Sequence, residues 1–342
     1  MDASSEQRRR DLRQKQSLPL EAKIILTQQR IREWYEHWDG QVYISFSGGK
    51  DSTVLRDIVK EMYPDVPSVF VDTGLEYPEV RRFAIERADV VLRPAMRFDQ
   101  VIKIYGYPVV SKEVSGYIRD AKYSKGEKLR LDRLQRLRGE YRRNDGQLSE
   151  YNCQKWGFLL DAPFEVSDKC CAVMKKKPLD KYARETGRKG IIGTMADESR
   201  RRKTIWLRQG CNAFDAKKPL SKPLSIWLEQ DILQYIKRNG LEIASVYGDI
   251  VERDQLQGQM RMFPDQWGEL TTTGANRTGC MFCMFGAQCE KAPNRFQRMK
   301  ETHPKLYAYC MGGGEYKDGK WQPNKDGLGM RHVLDYIGVP TE

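Results

Sequence analysis

The sequence predicts an α/β fold: a parallel sheet with flanking crossover helices. Three observations carry that prediction. First, QVYISF (41–46), PSVFVDTG (67–74) and DVVLRP (89–94) are short apolar runs of strand length. Second, helical patterns lie between them. Val54, Leu55, Ile58 and Val59 repeat with helical spacing, and YPEVRRFAIERA follows the second strand. Strand, helix, strand, helix, strand is the order of crossover units. Third, two of the strands end in polar, glycine-bearing turns, SGGKDS and DTG. Ligands of such sheets bind beyond the carboxyl ends of the strands, so both turns are expected at one site.

The other elements follow in order. Residues 19 to 38 form an amphipathic helix, and the helix after the glycine turn ends near Tyr63–Pro64. Residues 112 to 143 hold eleven Lys/Arg against five Asp/Glu, with helical spacing and few large apolar side chains. Either a mobile arm over the site or a solvated helix pair fits them. The α/β pattern resumes with a strand at Gly190–Ile192. PLSIWLEQDILQYIKRNG is a helix after a tight entry, closed by Gly240 as C-cap. The domain reading is 1–250 for an α/β domain with a basic helical insertion at about 112–165. Residues 251–342 then make a Cys-rich, basic and aromatic C-terminal region.

The chain has 342 residues, with 39% hydrophobic and 31% charged, which suits a globular protein. No apolar run reaches the roughly 18–20 residues of a membrane span. The first residues, MDASSEQRRRDLRQKQ, lack the apolar core of a secretory signal. The expectation is a cytoplasmic protein with no membrane partner. A net charge of +12 favours anionic partners, nucleotides or nucleic acid. Eight cysteines in such a chain read as metal ligands or redox thiols rather than a disulfide framework. Three histidines make a His-rich metal centre a poor expectation.

SGGKDS is the sharpest motif. It is not a Walker A loop, which needs four residues between its glycine and the GK[ST] end. Gly48 and Gly49 let the backbone bend and expose its N–H groups. Those of Ser47, Gly48, Gly49, Lys50, Asp51 and Ser52 can wrap a pyrophosphate at a helix N-terminus, with Lys50 as the point charge. Asp51 caps the helix or orients the turn. Lys50 and Asp51 are therefore the first catalytic candidates.

SGGKDS after a strand resembles the signature of the PP-loop ATP pyrophosphatases, the adenine nucleotide alpha hydrolases. VDTGLEYPEV resembles the second nucleotide segment of one branch, the phosphoadenosine-phosphosulfate (PAPS) reductase family. DKCCAVMKKKPLDKYARE is similar to the paired-cysteine segment of adenylyl-sulfate (APS) reductases. GTMADESRRR resembles their substrate loop, KPLSIWLEQDILQYIKRNGLEIASVY the helix after it, and TGCMFC their later C-x-x-C. The likeness spans roughly residues 20 to 290. It implies a Rossmann-like fold and a nucleotide site, ATP or APS/PAPS, at residues 47–52. It adds Asp72, Thr73, Gly74, Gly193, Glu198, Arg200, Arg201 and Arg202 to that site. It also implies a [4Fe–4S] cluster on Cys170, Cys171, Cys280 and Cys283. Four thiolates are the usual complement for such a cluster, and a tetrahedral zinc site uses the same residue types.

Three departures qualify the likeness. The reductases of the family carry a nucleophilic cysteine in an E-C-G-x-H-like tail, whereas this sequence ends LDYIGVPTE. Cys289 and Cys310 are the substitutes on offer. Met195 stands where the family often has arginine. MFGAQCEKAPNRFQRMKETHPKLYAYC lies outside the reductase pattern and interleaves basic with aromatic residues. That mixture suits either single-stranded nucleic acid or a helix with a packed aromatic face.

Three functions compete. In the first, a thiol-dependent reductase acts on an adenylyl sulfate, with a thiol donor protein as partner. In the second, an ATP-dependent transferase moves sulfur to DNA or transfer RNA through an adenylylated intermediate, releasing pyrophosphate. The third is a non-catalytic nucleotide- or cluster-sensing module. The paired cysteines place the reductase first.

Overall fold

The computed structural model describes residues 3–253 and 268–342. Two compact units divide the chain: Met1–Arg93 with Leu179–Thr278, and Pro94–Pro178 with Gly279–Glu342. Sequence placed one division at residue 250. The structure instead carries the chain into the second unit, back to the first and out again. Composition does not mark those crossings, which depend on which distant segments pair. Part of the region expected from 251 onward, residues 254–267, lies outside the described residues.

Along the chain the first elements are α1 (Ala3–Gln16), α2 (Leu20–His37), β1 (Val42–Phe46), α3 (Lys50–Met62), β2 (Ser68–Val71), α4 (Pro78–Arg87) and β3 (Val90–Leu92). The second unit opens with α5 (Phe98–Tyr105), β4 (Val109–Val110), α6 (Lys112–Tyr123) and α7 (Glu127–Arg138). After α8 (Lys177–Thr186), the first unit resumes with β5 (Lys189–Ile192), α9 (Arg200–Gln209), β6 (Asn212–Ala213), β7 (Leu220–Ser221) and α10 (Glu229–Asn239). Then come β8 (Ile250–Glu252), β9 (Leu270–Thr272) and, in the second unit, β10 (Met284–Phe285).

The first unit is built on a six-stranded sheet ordered β3-β2-β1-β5-β7-β6. All its pairs are parallel except β6 with β7. The mixed α/β class expected from the sequence is what the structure has. Val42 and Ile44 of β1, Val54, Leu55 and Ile58 of α3, and Ile191 of β5 are fully buried together. That burial explains why the strands read as near-continuous apolar runs. β1 lies centrally, with Phe46 opposite Phe70 and Ser45 opposite Ile192. The order runs outward through β2 and β3 on one side and β5 and β7 on the other. The carboxyl ends of β1, β2 and β5 therefore meet at the point where the strand order reverses, the usual ligand position of such sheets.

The segment 223–240, expected as a helix after a tight entry, has that form. Pro223–Ile226 is a 3₁₀ turn and α10 starts at Glu229. The Asp231 carboxylate accepts the Leu228 N–H at 2.6 Å and thereby caps the helix. The same carboxylate holds the buried ammonium of Lys23 at 2.6 Å. Gly240 closes α10 in the left-handed conformation, as expected.

In the second unit α6 and α7 pack as a helix pair. Three of its arginines are paired with carboxylates. Arg119 pairs with Asp120 and Asp168, Arg133 with Asp120 and Asp132, and Arg136 with Asp132. Arg136 also lies 3.7 Å from the Tyr141 ring centroid. Of the two sequence readings of 112–143, the helix pair is the one observed. A parallel pairing of β4 with β10 sets Met284 against Val109 and Phe285 against Val110, which returns the C-terminal segment to the 107–112 stretch. No helix among the described residues is long and apolar enough to cross a membrane.

Candidate phosphate and thiolate sites

Residues 47–52 turn from β1 into α3. Gly48 has φ +73°, and a Cβ there would stand 2.8 Å from the Val80 carbonyl oxygen and 2.9 Å from the Ala84 Cβ. Glycine is thus required both by conformation and by space. Gly49 is the N-cap of α3 and has no side chain to cap it; its own N–H donates to Ser47 Oγ at 3.4 Å, and the Lys50 N–H is bonded to the Tyr247 hydroxyl. Within the turn, the Ser47 N–H donates to Ser52 Oγ at 3.2 Å, and the two hydroxyls are 3.0 Å apart.

The Lys50 ammonium is buried. It donates to the Asn276 carbonyl at 2.8 Å and lies 3.3 Å from Glu229 Oε1. It also sits 5.3 Å from the centroid of the Tyr247 ring. Burial raises the Asp51 carboxyl above its ordinary range, against the opposing charges of Lys50, Arg277 and Arg202. Gly193, just past the end of β5, brings the next segment close. A Cβ there would fall 2.8 Å from the Asp51 carbonyl oxygen. From that segment, Glu198 accepts the Met195 N–H at 2.9 Å and pairs with Arg202 and Arg277. Arg200 and Arg201 are exposed, while Arg202 is half-buried. The Met195 side chain is buried in the core.

The DTG turn is built differently from the expectation that it serves a nucleotide directly. Arg81 grips the Asp72 carboxylate with two bonds of 2.6 and 2.7 Å. That hydrogen bonding holds the carboxyl below its usual range. Thr73 Oγ1 donates to the Glu76 carboxylate at 2.8 Å. Gly74 is exposed. Asp72 and Thr73 spend their side chains on fixing the turn. Glu229, Tyr247, Asn276 and Arg277 were missed in the sequence. None lies in a glycine-marked motif, and only the tertiary fold delivers them to Lys50 and Glu198.

The second unit gathers the four cysteines expected to act together. Ser167 donates its N–H to the Tyr107 carbonyl at 3.0 Å, which anchors the segment leading to Cys170 and Cys171. A five-residue π turn, Ala172–Lys176, follows them. On the other side, Cys280 and Cys283 close a turn through the Cys283 N–H and Cys280 carbonyl at 3.1 Å. The Gly286 N–H then donates to the Val110 carbonyl at 2.8 Å. Both pairs are thus fastened to the 107–112 stretch.

The Cys170 and Cys171 sulfurs are 3.9 Å apart. The Cys170 thiol donates to its neighbour and is raised by that bond, by burial and by the charges of Cys171, Cys283 and Cys280. Cys171 is held down to about 5, first by the bond from Cys170 and then, against burial, by the ammonium groups of Lys112 and Lys175. Burial raises Cys283. Among the described residues no three Cys, His, Asp or Glu side chains converge on a single metal position. A cubane cluster has a different requirement, because each thiolate binds its own iron. Cys170 interacts with each of the other three thiols in one unit, and four thiols so gathered fit that donor set.

The two candidate nucleophiles separate cleanly. Cys289 is exposed. Cys310 is fully buried against Met330, and burial alone pushes its thiol far up. Cys310 is therefore corrected from candidate nucleophile to core residue. In the basic and aromatic C-terminal segment, Phe296 and Tyr307 are buried. The Tyr307 hydroxyl donates to the Thr341 carbonyl at 2.7 Å, and Arg295 is paired with Glu290. Phe296 and Tyr307 fit a packed aromatic face, whereas Tyr309 is exposed.

A mostly parallel sheet with a glycine-bent turn at its reversal point belongs to the class of α/β folds whose ligands bind beyond the strand ends. More specifically, the family model of the phosphoadenosine phosphosulfate reductase domain matches residues 41–104 and 132–284. That is more than half of the sequence, and the chain belongs to this family. A phosphoadenosine 5'-phosphosulfate reductase of Serratia proteamaculans (strain 568) is 32% identical over 65 residues. The match covers 19% of this chain and 27% of that protein, so it spans about a quarter of the relative's length. A solved phosphoadenylyl-sulfate reductase from Candida auris, in a phosphate complex, is similar over 67% of this chain and 91% of its own. Its identity is 14% and its TM-score 0.36.

Proposed function

We propose that the chain is a thiol-dependent reductase of an adenylyl sulfate, APS or PAPS. Residues 47–52 bind an anionic group of the nucleotide through the N-terminal N–H groups of α3 and the Lys50 ammonium. Glu229 and the Asn276 carbonyl hold that ammonium in place. A thiolate attacks the sulfate sulfur, the bond from sulfur to the phosphate oxygen breaks, and AMP or adenosine bisphosphate leaves. A second thiolate then attacks the sulfur of the S-sulfonated thiol. A disulfide forms, sulfite departs with the electron pair, and two thiols have been oxidised. Cys289 is the nucleophile this chain offers from an exposed position.

Cys170, Cys171, Cys280 and Cys283 are the residues that would hold a [4Fe–4S] cluster, which when bound supplies a local charge and a redox couple tuned by its surroundings. Their gathering from segments about 110 residues apart is the observation that most supports the reductase reading. Sulfur transfer to DNA or transfer RNA draws less support. Within 112–143 Arg119, Arg133 and Arg136 are paired with carboxylates, and Phe296 and Tyr307 of the C-terminal segment are packed, although Tyr309 is exposed.

The test is sulfite release from APS and from PAPS by anaerobically purified protein with a dithiol donor. Pyrophosphate release from ATP, with and without DNA or transfer RNA, runs in parallel. Sulfite from either sulfonucleotide, lost in Cys289→Ser, is expected. Pyrophosphate release that requires nucleic acid, without sulfite, replaces the reductase by the transferase.

A further inference from the structure

No sequence motif marks Arg277, yet both its neighbours are tied to groups of the phosphate turn. The Asn276 carbonyl accepts from Lys50 Nζ at 2.8 Å. The Thr278 hydroxyl is hydrogen-bonded to the Tyr247 hydroxyl. Tyr247 in turn lies against Lys50, and its hydroxyl would be 3.5 Å from a Cβ placed on Gly49. The backbone of 276–278 is thus pinned beside the turn, and the Arg277 side chain starts from a fixed point.

That side chain runs to Glu198. Its Nη2 donates to Glu198 Oε2 at 3.0 Å, and Arg202 pairs with the same oxygen. The other oxygen, Oε1, accepts the Met195 N–H. Two guanidiniums therefore share one carboxylate, which offers far fewer acceptors than their N–H groups can fill. Asp51 faces both guanidiniums as a second carboxylate, at the level of charge alone. Burial and the Arg277 charge lower Arg202 from its ordinary value. The Arg277 side chain is 60% exposed, so its remaining donors are open to a ligand. A planar fork of donors with open N–H groups suits a tetrahedral oxyanion.

We propose that Arg277 is a specificity residue of the 47–52 site, giving a forked hydrogen bond to a phosphate or sulfate group of the bound nucleotide. This rests on the sulfonucleotide reading for the identity of the ligand, and the test separates the two.

Binding of APS, PAPS and ATP is measured by calorimetry for wild type, Arg277→Ala, Arg277→Lys and Glu198→Gln. Arg277→Ala is expected to weaken binding roughly ten- to hundredfold, the range for a charge-assisted hydrogen bond. Arg277→Lys keeps the charge without the fork and recovers part of the loss. Loss for both sulfonucleotides assigns Arg277 to the 5'-phosphosulfate, and loss for PAPS alone assigns it to the 3'-phosphate. Either result supports the proposal.

Glu198→Gln tests a merely structural role. Glutamine keeps the Oε1 acceptor and releases both guanidiniums, so affinity should hold or rise. A fall as deep as in Arg277→Ala would make Arg277 only a tie to Glu198 and overturn the proposal. Unchanged affinity of Arg277→Ala for every nucleotide that wild type binds overturns it equally. Binding of ATP alone by wild type would reject the reductase reading, and the effect of Arg277→Ala on ATP would then decide the role of Arg277. Wild type that binds none of the three overturns both.

Discussion

The phosphate turn and the cysteine unit solve opposite assembly problems. The turn is local: six consecutive residues, one glycine-forced bend and one helix N-terminus present the anion-binding groups. The four thiols come from two distant segments, and the β4–β10 pairing, with the Gly286 bond to Val110, returns the second toward the first. That pairing is two residues long on each side. A local site is robust in its geometry and sensitive to single backbone positions. A site assembled at long range is sensitive wherever one contributor is lost.

The largest effect follows on the long-range side. Cys170→Ser or Cys280→Ser should abolish the visible absorbance of anaerobically purified protein, because a cluster missing one of four thiolates is not retained. If the two units act independently, nucleotide affinity should stay within about twofold of wild type. Unchanged absorbance in either variant would discard that ligand, and a loss of nucleotide binding would show that the two regions are not separable.

Gly48→Ala attacks the local side through the backbone. It combines a positive φ with a contact of 2.8 Å to a carbonyl oxygen. Unfolding in denaturant should show a loss of about 3 kcal/mol. A cost under about 1 kcal/mol would mean that the turn relaxes to another conformation. Lys50→Ala acts on the ligand instead. Its expected signature is a roughly ten- to hundredfold weaker nucleotide. Stability should change less, since the Glu229 side chain left behind is 52% exposed and keeps its water. Wild-type affinity in Lys50→Ala would remove the lysine from the site.

The same contrast explains what the sequence made legible. β1, β2 and the centre of β5 could be read because strands buried on both faces are continuous apolar runs, β3 from its apolar residues although it is an edge strand, α4 from the Pro78 that opens it, and α10 from its periodicity and its Gly240 cap. SGGKDS was legible because glycines record backbone constraints directly in the sequence. The roles of Asp72 and Thr73 were harder to read, since a carboxylate beside a glycine looks the same whether it meets a ligand or Arg81. Cys310 looked like Cys289 because nothing in a cysteine's neighbours along the chain reports whether a core closes over it. Arg277, Glu229 and Asn276 were invisible for the same reason, as each reaches the turn only through tertiary packing.

The smallest expected effect sharpens the reassignment of Asp72. If its carboxylate chiefly fixes the turn through Arg81, Asp72→Asn should cost stability. The Arg81 side chain is 43% exposed, so solvent screening keeps the value to about 1 kcal/mol at neutral pH. The pH dependence has a definite sign. Arg81 depresses the folded-state pKa of Asp72. The stabilisation is therefore complete above the unfolded carboxylate value of about 4 and is lost as pH falls through the lower folded value. Denaturant unfolding of wild type and Asp72→Asn should differ by a constant amount near neutrality and converge in acid. A difference that persists unchanged to about pH 2 would show that the charge of Asp72 is not what Arg81 stabilises. Loss of nucleotide affinity without loss of stability would return Asp72 to the ligand.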